Sequence, residues 1–308
     1  MASIIHIDSS PEYIAAVSSD NCIIVTDLSL RPLVTLPGFP NGQVSAVAFS
    51  KVEPHILAAV SEDSPFVFIY DLKSSPEPVS KIRISPGALL SCIAFHPTSH
   101  MFAVGSSIGM IYLVNFLDGK PVIKEFDFIH TDTVVSLSFI GENLILSGSL
   151  DNLITLFDFS LEDEDDCIIN VFNADSSVSR CEMFPGIAWG ITCTETLRVW
   201  SSSNETPFEP VFSLDKLREQ LNVDYLLYVF PLNTELVLFS GNHSGVLTIS
   251  SLSNLANSIS IPVFEDSIRY CCYSSAAGGF YMSSDDGCLS FGAFEEGKFK
   301  KCRTVKIC

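Results

Sequence analysis

Short apolar strands with alternating polarity recur through the sequence at a nearly constant spacing. Three of them end in phenylalanine, VSAVAF (44–49), LSCIAF (90–95) and VVSLSF (134–139), and they begin about 45 residues apart. Each is followed by a strand ending in small residues, a tight turn and a strand ending in Asp or Asn, as in SGSLDNLITLFD (147–158). Seven such copies fill the 308 residues, at about 44 residues per copy. A repeat of this length predicts an array of similar structural units.

Turn clusters such as SSDN, SEDSP and SSDDG separate the strands and leave no room for a crossover helix. Neighbouring strands must therefore pair antiparallel, and the predicted fold class is all-β. Four strands per copy and seven copies predict a seven-bladed β-propeller of four-stranded antiparallel blades. The chain would form a single domain, 1–308, with blades at approximately 1–41, 42–86, 87–130, 131–175, 176–221, 222–265 and 266–308.

The repeat resembles that of the WD40-repeat family, most clearly in blade four, HTDTVVSLSF followed by LILSGSLDNLITLFD. In that family a histidine, a serine or threonine, a turn aspartate and a tryptophan form a hydrogen-bonded set beneath the sheet. The resemblance assigns this set to His130, Ser147, Asp151 and Phe157, with phenylalanine in place of tryptophan. An acidic stretch after this blade and the segment FSLDKLREQLNVDYLL look like the WD repeat-containing protein 89 family.

Closure of the ring is a point at which the sequence departs from the WD40 pattern. Rings of that family usually close by placing an N-terminal strand in the last blade. Counting from Ile4 to the basic strand KKCRTVKIC instead gives seven complete blades. Either the first and last blades close the ring by side-chain packing, or the first strand is misassigned.

A single helical pattern, SLDKLREQLN, precedes blade six. Leu214, Leu217 and Leu221 fall on one face at i, i+3 and i+7, and Ser213 is the expected N-cap. We expect this helix to cover the gap between two blades; a partner-binding helix is the alternative.

The chain is strongly acidic, with 17 basic against 36 acidic residues and a net charge of −19. Such a surface repels phosphate backbones and anionic lipid but attracts basic proteins, although it also serves simply to keep a protein in solution. We therefore expect no direct nucleic-acid binding and no membrane binding. The start MASIIHIDSS lacks the basic residues of a signal peptide, which predicts a cytoplasmic or nuclear protein.

Five consecutive acidic residues follow the third strand of blade four: Glu162, Asp163, Glu164, Asp165 and Asp166. Calcium loops alternate their carboxylates and contain a glycine for the turn, which this run lacks. We expect an extended, solvated loop on the face opposite the usual contact surface. A docking loop for a basic partner is the alternative.

In propellers, the loops that enter the inner strands and the turns before the third strands converge on one face around the channel. The WD40 family commonly uses this face for partner contacts. Motif positions place small, polar and mildly acidic residues there, with four leucine or valine residues as apolar anchors. The candidate contacts are Gln43, Asp63, Leu89, Val135, Leu150, Asp224, Leu226, His243, Arg269 and Asp285.

No motif indicates catalysis, and we expect no metal and no cofactor. The ten cysteines include no CxxC pair, and no serine lies in a GxSxG motif. An enzyme would need polar groups with shifted pKa values that converge in the channel.

The predicted function is that of a non-enzymatic protein–protein interaction scaffold, monomeric outside its complex. Its acidic surface would suit an assembly factor or escort for a basic protein, such as a ribosomal protein or a histone. The alternative is a peptide-recognition adaptor in a larger complex, such as a ubiquitin ligase or a signalling assembly.

Overall fold

Twenty-eight β-strands make up nearly all of the regular structure in the computed structural model. The structure describes residues 2–116, 121–161, 164–202, 207–232, 235–295 and 298–308, with the backbone only at Glu164, Asp165, Arg218 and Cys302. Two short helices are present in these ranges, α1 (Glu164–Cys167) and α2 (Leu217–Leu221).

Consecutive strands form seven four-stranded antiparallel sheets, and each sheet is one blade. Blades one and two contain β1 (Ile4–Ser9), β2 (Tyr13–Ser18), β3 (Cys22–Asp27), β4 (Pro32–Pro37), β5 (Val44–Phe49), β6 (Ile56–Ser61), β7 (Phe66–Asp71) and β8 (Ser80–Arg83). Blades three and four contain β9 (Leu90–Phe95), β10 (Met101–Ser106), β11 (Ile111–Asn115), β12 (Val122–Phe126), β13 (Val134–Ile140), β14 (Leu144–Ser149), β15 (Leu153–Asp158) and β16 (Ile168–Asn173).

The remaining three blades follow in the same order. They contain β17 (Val178–Phe184), β18 (Ile187–Thr192), β19 (Leu197–Ser201), β20 (Glu209–Leu214), β21 (Tyr225–Leu232), β22 (Glu235–Gly241), β23 (Val246–Ser251), β24 (Asn254–Pro262), β25 (Ile268–Ser274), β26 (Gly279–Ser284), β27 (Cys288–Glu295) and β28 (Lys298–Lys306). This architecture is a seven-bladed β-propeller, which confirms the all-β prediction.

The first strand of every blade lies innermost and lines a central channel. Because successive strands are antiparallel, loops alternate between the two faces of the ring. We call the top face the one formed by the loops that enter the inner strands and the turns between second and third strands. The bottom face carries the loops between first and second strands and those between third and fourth strands.

Each inner strand contains one extra residue near the top face, relative to the second strand of its blade. The residues skipped in the pairing are Ile5, Ser45, Ser91, Val135, Ser179, Leu227 and Arg269. Such β-bulges free a side chain from the regular ladder and redirect it. Two of these freed hydroxyls join neighbouring blades around the channel: Ser45 Oγ donates to Leu90 O at 2.9 Å, and Ser91 Oγ donates to Val134 O at 2.5 Å.

The core lies between the blades, because both faces of each sheet are covered by a neighbouring sheet. The middle strands are accordingly apolar on both faces and end in small residues. Gly148 shows why: a Cβ there would lie 2.8 Å from Cys181 Sγ and 2.9 Å from Val178 Cγ1 of the next blade. The small residues at the ends of the second strands thus let the inner part of the ring close tightly.

Blades one and seven close the ring without sharing a strand. Ile4, Ile7 and Leu30 of blade one pack in one buried cluster with Tyr281 and Leu289 of blade seven. Two hydrogen bonds cross the same seam, from Tyr281 OH to Leu28 O at 2.9 Å and from Ser283 Oγ to Ile4 O at 3.2 Å. Of the two alternatives that the sequence leaves open, side-chain packing is therefore the one realised.

The helix before blade six is shorter than its sequence pattern suggests. Ser213 lies within β20, so the prediction that it caps the helix was wrong, and α2 begins at Leu217 after Lys216. The chain continues in β20 up to Leu214 because that residue is fully buried between blades. Leu217 is buried in the cluster formed by blades five and six, as expected for a helix that covers the gap between them.

If apolar packing closes the ring, shortening an apolar side chain between blades one and seven should destabilise the whole propeller. Ile7 is 1% exposed at the seam, so we expect Ile7→Ala to lower the free energy of unfolding by about 2–5 kcal/mol in urea titrations. Leu33→Ala is the control, because Leu33 is 54% exposed on the outer strand of blade one. Equal losses of unfolding free energy in the two variants would show that packing at the seam does not hold the ring closed.

Candidate functional site on the top face and in the channel

Blade four holds its top loop in place through a buried histidine. His130 Nδ1 lies 3.0 Å from Asp151 Oδ2, and His130 Nε2 lies 2.8 Å from Ser147 Oγ. The same aspartate accepts hydrogen bonds from the amides of Thr131 and Leu153, each at 3.0 Å. The loop before β13 and the turn before β15 are therefore locked together.

Phe157, the fourth residue assigned to this set, contributes packing and no hydrogen bond. It is fully buried, and its ring centroid lies 5.3 Å from that of Phe126 in blade three. Burial lowers the pKa of His130, although Asp151 favours its protonated form. Burial also works to raise the pKa of the Asp151 carboxyl, but the hydrogen bond from the Thr131 amide and the neighbouring His130 outweigh it and leave that pKa below its usual value.

The top-face candidates fall into exposed and half-buried groups. Gln43, Asp63, Leu89, His243 and Arg269 are exposed, and the half-buried group is Val135, Leu150, Asp224 and Asp285. Several of them bind one another: Arg269 pairs with Asp285, and the amides of Gln43 and His243 donate to Asp63 and Asp224.

Leu226 does not fit its expected role as an exposed anchor. Its side chain is only 7% exposed, since it belongs to the cluster between blades five and six, and its amide donates to Glu195 Oε2 at 2.6 Å. The motif position was placed on the correct face, but a strand position on that face can still point its side chain into the core. This correction removes Leu226 from the contact surface.

Neighbouring blades are tied together on the top face by a repeated contact. The residue just before an inner strand donates its side-chain hydrogen bond to a turn carbonyl of the preceding blade. The bonds are Gln43 Nε2 to Ser19 O at 3.2 Å, Thr133 Oγ1 to Ser107 O at 3.1 Å, and Ser177 Oγ to Leu150 O at 2.8 Å. At three of the seven blade junctions the top-face loops are thus joined by hydrogen bonds.

The acidic stretch lies between β15 and β16 at the bottom face, as its place in the repeat predicts. Glu162 and Asp163 lie outside the described residues. Glu164–Cys167 forms the single turn α1, so the expectation of an extended loop was wrong for this part. The buried Cys167 accounts for the turn, because it anchors the stretch to the blade while Asp166 stays exposed.

The central channel encloses about 430 Å³ and carries a polar wall that the sequence did not reveal. This wall is formed by one group of charged and aromatic residues from blades one, five, six and seven: His6, Asp8, Arg180, Glu182, Tyr228 and Tyr270. Charged residues within otherwise apolar inner strands were the available signal, as in VSRCEMF of blade five.

Arg180 connects three blades across this wall. Its guanidinium carbon lies 4.5 Å from the ring centroid of Tyr228 and 4.6 Å from that of Tyr270, and Nη1 donates to Cys271 O at 2.7 Å. Among the lining residues β21 contributes only Tyr228, so the arginine occupies the space in front of blade six. Two cation–π contacts and a charge-assisted hydrogen bond offset the burial of its charge.

Two other polar atoms of the wall are buried without a hydrogen-bond partner among the described residues: His6 Nδ1 and Glu182 Oε2. Burial lowers the pKa of His6 to about 4, although the nearby Asp8 acts to raise it. The imidazole is therefore neutral at pH 7.

The channel therefore contains the converging polar groups that an enzyme would need, but its thiols are not activated. Burial raises the pKa of Cys92, of Cys181 and of Cys271 to about 12, and a protonated thiol is a poor nucleophile. Within the described ranges, no group of three or more His, Cys, Asp or Glu residues is arranged to hold a metal ion. No described helix has the length and apolar character needed to cross a membrane.

Comparison with known proteins agrees with the repeat. The chain is 25% identical over 288 residues to the WD repeat-containing protein 89 homolog of Dictyostelium discoideum, covering 86% of this chain and 78% of the relative. A WD repeat-containing protein of Schizosaccharomyces pombe is 22% identical over 52% of this chain and 54% of its own length. WD repeat-containing protein GTS1 of Arabidopsis thaliana is 26% identical over 60% of this chain and 50% of its own length. No family model matches the chain.

The chain is a seven-bladed β-propeller similar in sequence to WD repeat-containing proteins. The first of these alignments also confirms the resemblance to the WD repeat-containing protein 89 family. WD-repeat propellers are characteristically platforms for protein–protein interaction, and this role fits a ring in which hydrogen bonds join top-face loops of neighbouring blades.

The contacts of Arg180 predict that it stabilises blades five to seven. We expect Arg180→Met, which keeps the aliphatic stem, to lower the free energy of unfolding by about 2 kcal/mol or more in urea titrations. Arg31→Met is the matched control, since the Arg31 side chain is 75% exposed in its ion pair with Asp27, and a surface pair should contribute less than about 1 kcal/mol. An Arg180→Met protein as stable as the wild type would show that the guanidinium does not join the blades.

The lowered pKa of His6 predicts acid sensitivity of the fold. Between pH 6.5 and about 4 the unfolded chain binds a proton at His6 and the folded chain does not, so stability falls as the pH falls. Relative to His6→Gln, the wild type should lose roughly 3 kcal/mol of unfolding free energy between pH 7 and pH 4. If the unfolding free energies of the two proteins fell in parallel over this pH range, His6 would not be buried in its neutral form.

Proposed function

We propose that this propeller is a non-enzymatic scaffold that recruits a basic protein through its top face. The distribution of charge over the loops carries the proposal. The top-face loops contain 15 acidic and 2 basic residues, whereas the bottom-face loops contain 12 and 4. Acidic residues that converge around a ring reinforce one another's potential and attract a positively charged partner.

The bottom face offers a more local concentration of charge. Five of its 12 acidic residues are the run Glu162–Asp166, and the other seven are spread singly over seven loops, three of which also carry a basic residue. When each entry loop is counted with the blade that it enters, acidic residues occur on the top face of every blade except blade three. One of the two bases, Lys216, pairs with Glu219. A broad basic surface therefore matches the top face better than the bottom face.

A partner with such a surface would be a ribosomal protein or a histone, for which the propeller would act as an escort or assembly factor. These proteins are rich in lysine and arginine and need their charge shielded before assembly. Location in the cytoplasm, the nucleus or both would follow from this role. The thiols with raised pKa values and the arginine held between two tyrosine rings support a structural rather than a catalytic channel.

A second candidate function is recognition of a short peptide motif, as in an adaptor subunit. It is favoured by one apolar spot on the top face of blade three, where Leu89 is 39% and Ile108 is 59% exposed. The Ser107 amide donates to Leu89 O at 2.9 Å, which keeps Leu89 close to the turn that carries Ile108. Here an apolar side chain of the partner, not its charge, would provide most of the affinity.

Charge reversal on one face distinguishes these functions. The triple variant Asp20→Lys, Glu62→Lys, Glu265→Lys changes three exposed residues of the top face. We expect it to bind core histones or purified ribosomal proteins at least about tenfold more weakly than the wild type, because the attraction is electrostatic. Binding of the wild type should also weaken as NaCl rises from 50 to 500 mM, as measured by fluorescence anisotropy.

The matched control reverses three exposed acids of the bottom face, Glu12→Lys, Glu77→Lys and Glu142→Lys. It changes the net charge equally and should retain most of the binding. If both triple variants lose affinity to the same extent, the top face is not the site. If binding resists salt and is lost in Leu89→Asp, the peptide adaptor is the correct function.

A further inference from the structure

A groove of about 540 Å³ runs along the outer rim between blades four and five. One side is the outer strand β16, and the other is formed by β19 and β20. Its floor is aromatic: the Phe172 ring centroid lies 4.9 Å from that of Trp200 and 5.2 Å from that of Phe208. We call it the rim groove.

Exposed apolar side chains lie on both strands that border the rim groove. Val171 is 48% exposed and Val211 is 58% exposed, on the two strands that face each other across it. Ile169 of β16 is also 50% exposed. Val171 points to the face of β16 opposite Phe172, because successive residues of a strand alternate. Exposed apolar patches rimmed by polar residues commonly mark protein-binding surfaces.

β16 also offers unpaired backbone groups at this place. It is the outermost strand of its blade and pairs only with β15 within the described part of the chain. Its free edge is six residues long and carries no charged residue and no proline. Charges and prolines are the usual means of blocking an edge, so this strand is open to pairing with an added strand.

The charge around the rim groove is negative at both ends. At the bottom end Asp166 is exposed, two residues before β16 begins. At the top end Arg198 is bound by two carboxylates, Asp175 at 3.1 Å and Asp215 at 2.6 Å, which leaves a net negative charge there. An occupant of the groove would therefore be basic as well as apolar.

We propose that the rim groove binds an extended segment of another protein in which apolar residues alternate with lysine or arginine. The segment adds as a fifth strand to the free edge of β16, which satisfies its backbone groups. Alternate side chains point to opposite faces of a strand, so one row packs against Val211 and the aromatic floor, while the other row, on the side of Val171, carries the charge. This site is separate from the top face and does not depend on the proposed function.

The chain provides its own reporter for this site. It contains two tryptophans; Trp200 lines the rim groove, whereas Trp189 is fully buried in the core between blades five and six. A ten-residue synthetic peptide of alternating valine and lysine is the probe. We expect a saturable change in tryptophan emission at 150 mM NaCl that is absent in Trp200→Phe.

Two control peptides separate the apolar and the charged contributions. A serine–lysine peptide keeps the charge, and a valine–glutamate peptide keeps the apolar row. Both should bind at least about tenfold more weakly than the valine–lysine peptide, because the groove requires both properties. Equal binding of the serine–lysine peptide would overturn the proposal, since it would show attraction to the acidic chain as a whole.

Substitutions within the rim groove locate the binding. Val211→Asp should weaken peptide binding at least about tenfold, since it places a carboxylate in the apolar contact. Ile259→Asp is the matched control, because Ile259 is 45% exposed on the outer strand of blade six, and it should leave the affinity within about twofold. An equal loss in Ile259→Asp, or no emission change at millimolar peptide, would refute the site.

The top-face triple variant serves as the final comparison. It should bind the valine–lysine peptide as the wild type does, even where it has lost its basic protein partner. Loss of peptide binding in that variant would place the peptide on the top face and overturn the rim groove, whereas the proposed function would be unaffected. Failure of the top-face proposal would likewise leave the groove measurements intact.

Discussion

The propeller depends on apolar contact between sheets that share no strand. Every blade buries both of its faces against its neighbours, so no blade has a complete core of its own. A ring without a shared strand must satisfy this condition at the seam of blades one and seven by side chains alone, as Ile4, Ile7 and Tyr281 do. The tightness of the ring then follows from residue size, since Gly148 and its counterparts allow the second strands to approach the next blade. Loops on the top face can be polar and variable because the strands beneath them are fixed by this packing.

The channel shows how the same ring accommodates an irregular blade. β21 contributes little to the channel wall, and Arg180 fills the space in front of it. An arginine suits this place because its planar guanidinium can stack on two tyrosine rings and still donate to a carbonyl, whereas an apolar side chain of equal length could not satisfy Cys271 O. The neighbouring Glu182 compensates part of the charge, and the neutral His6 avoids adding a second cation. The polar wall is therefore consistent with a structural role in joining blades five to seven.

The sequence predicted the features that repeat and failed on those that occur once. The period of about 44 residues gave the fold class, the strand order and the face on which each loop lies, because these follow from chain direction alone. It could not give the orientation of Leu226, since the bulge at Leu227, directly after it, breaks the alternation of the inner strand. Ser213 was wrongly predicted to cap the helix α2. Burial of Leu214 in the core extends β20 beyond the point at which local propensity would end it. Arg180 and Glu182 were missed because their partners lie in other blades, up to 91 residues away in the chain.

The two proposed surfaces divide affinity and selectivity between them in a physically consistent way. The top-face charge acts over a Debye length of about 8 Å at physiological ionic strength, so it accelerates encounter with any basic protein but distinguishes poorly among them. The rim groove acts only in contact, through Val211, its aromatic floor and the edge of β16, and it rejects segments that lack the apolar row. A partner that engages both would bind with an effective local concentration at the second surface, so modest affinities at each would combine into a stable complex. The choice of partner would then depend on the distance between a basic surface and an extended segment within the same partner protein, which neither binding surface could detect by itself.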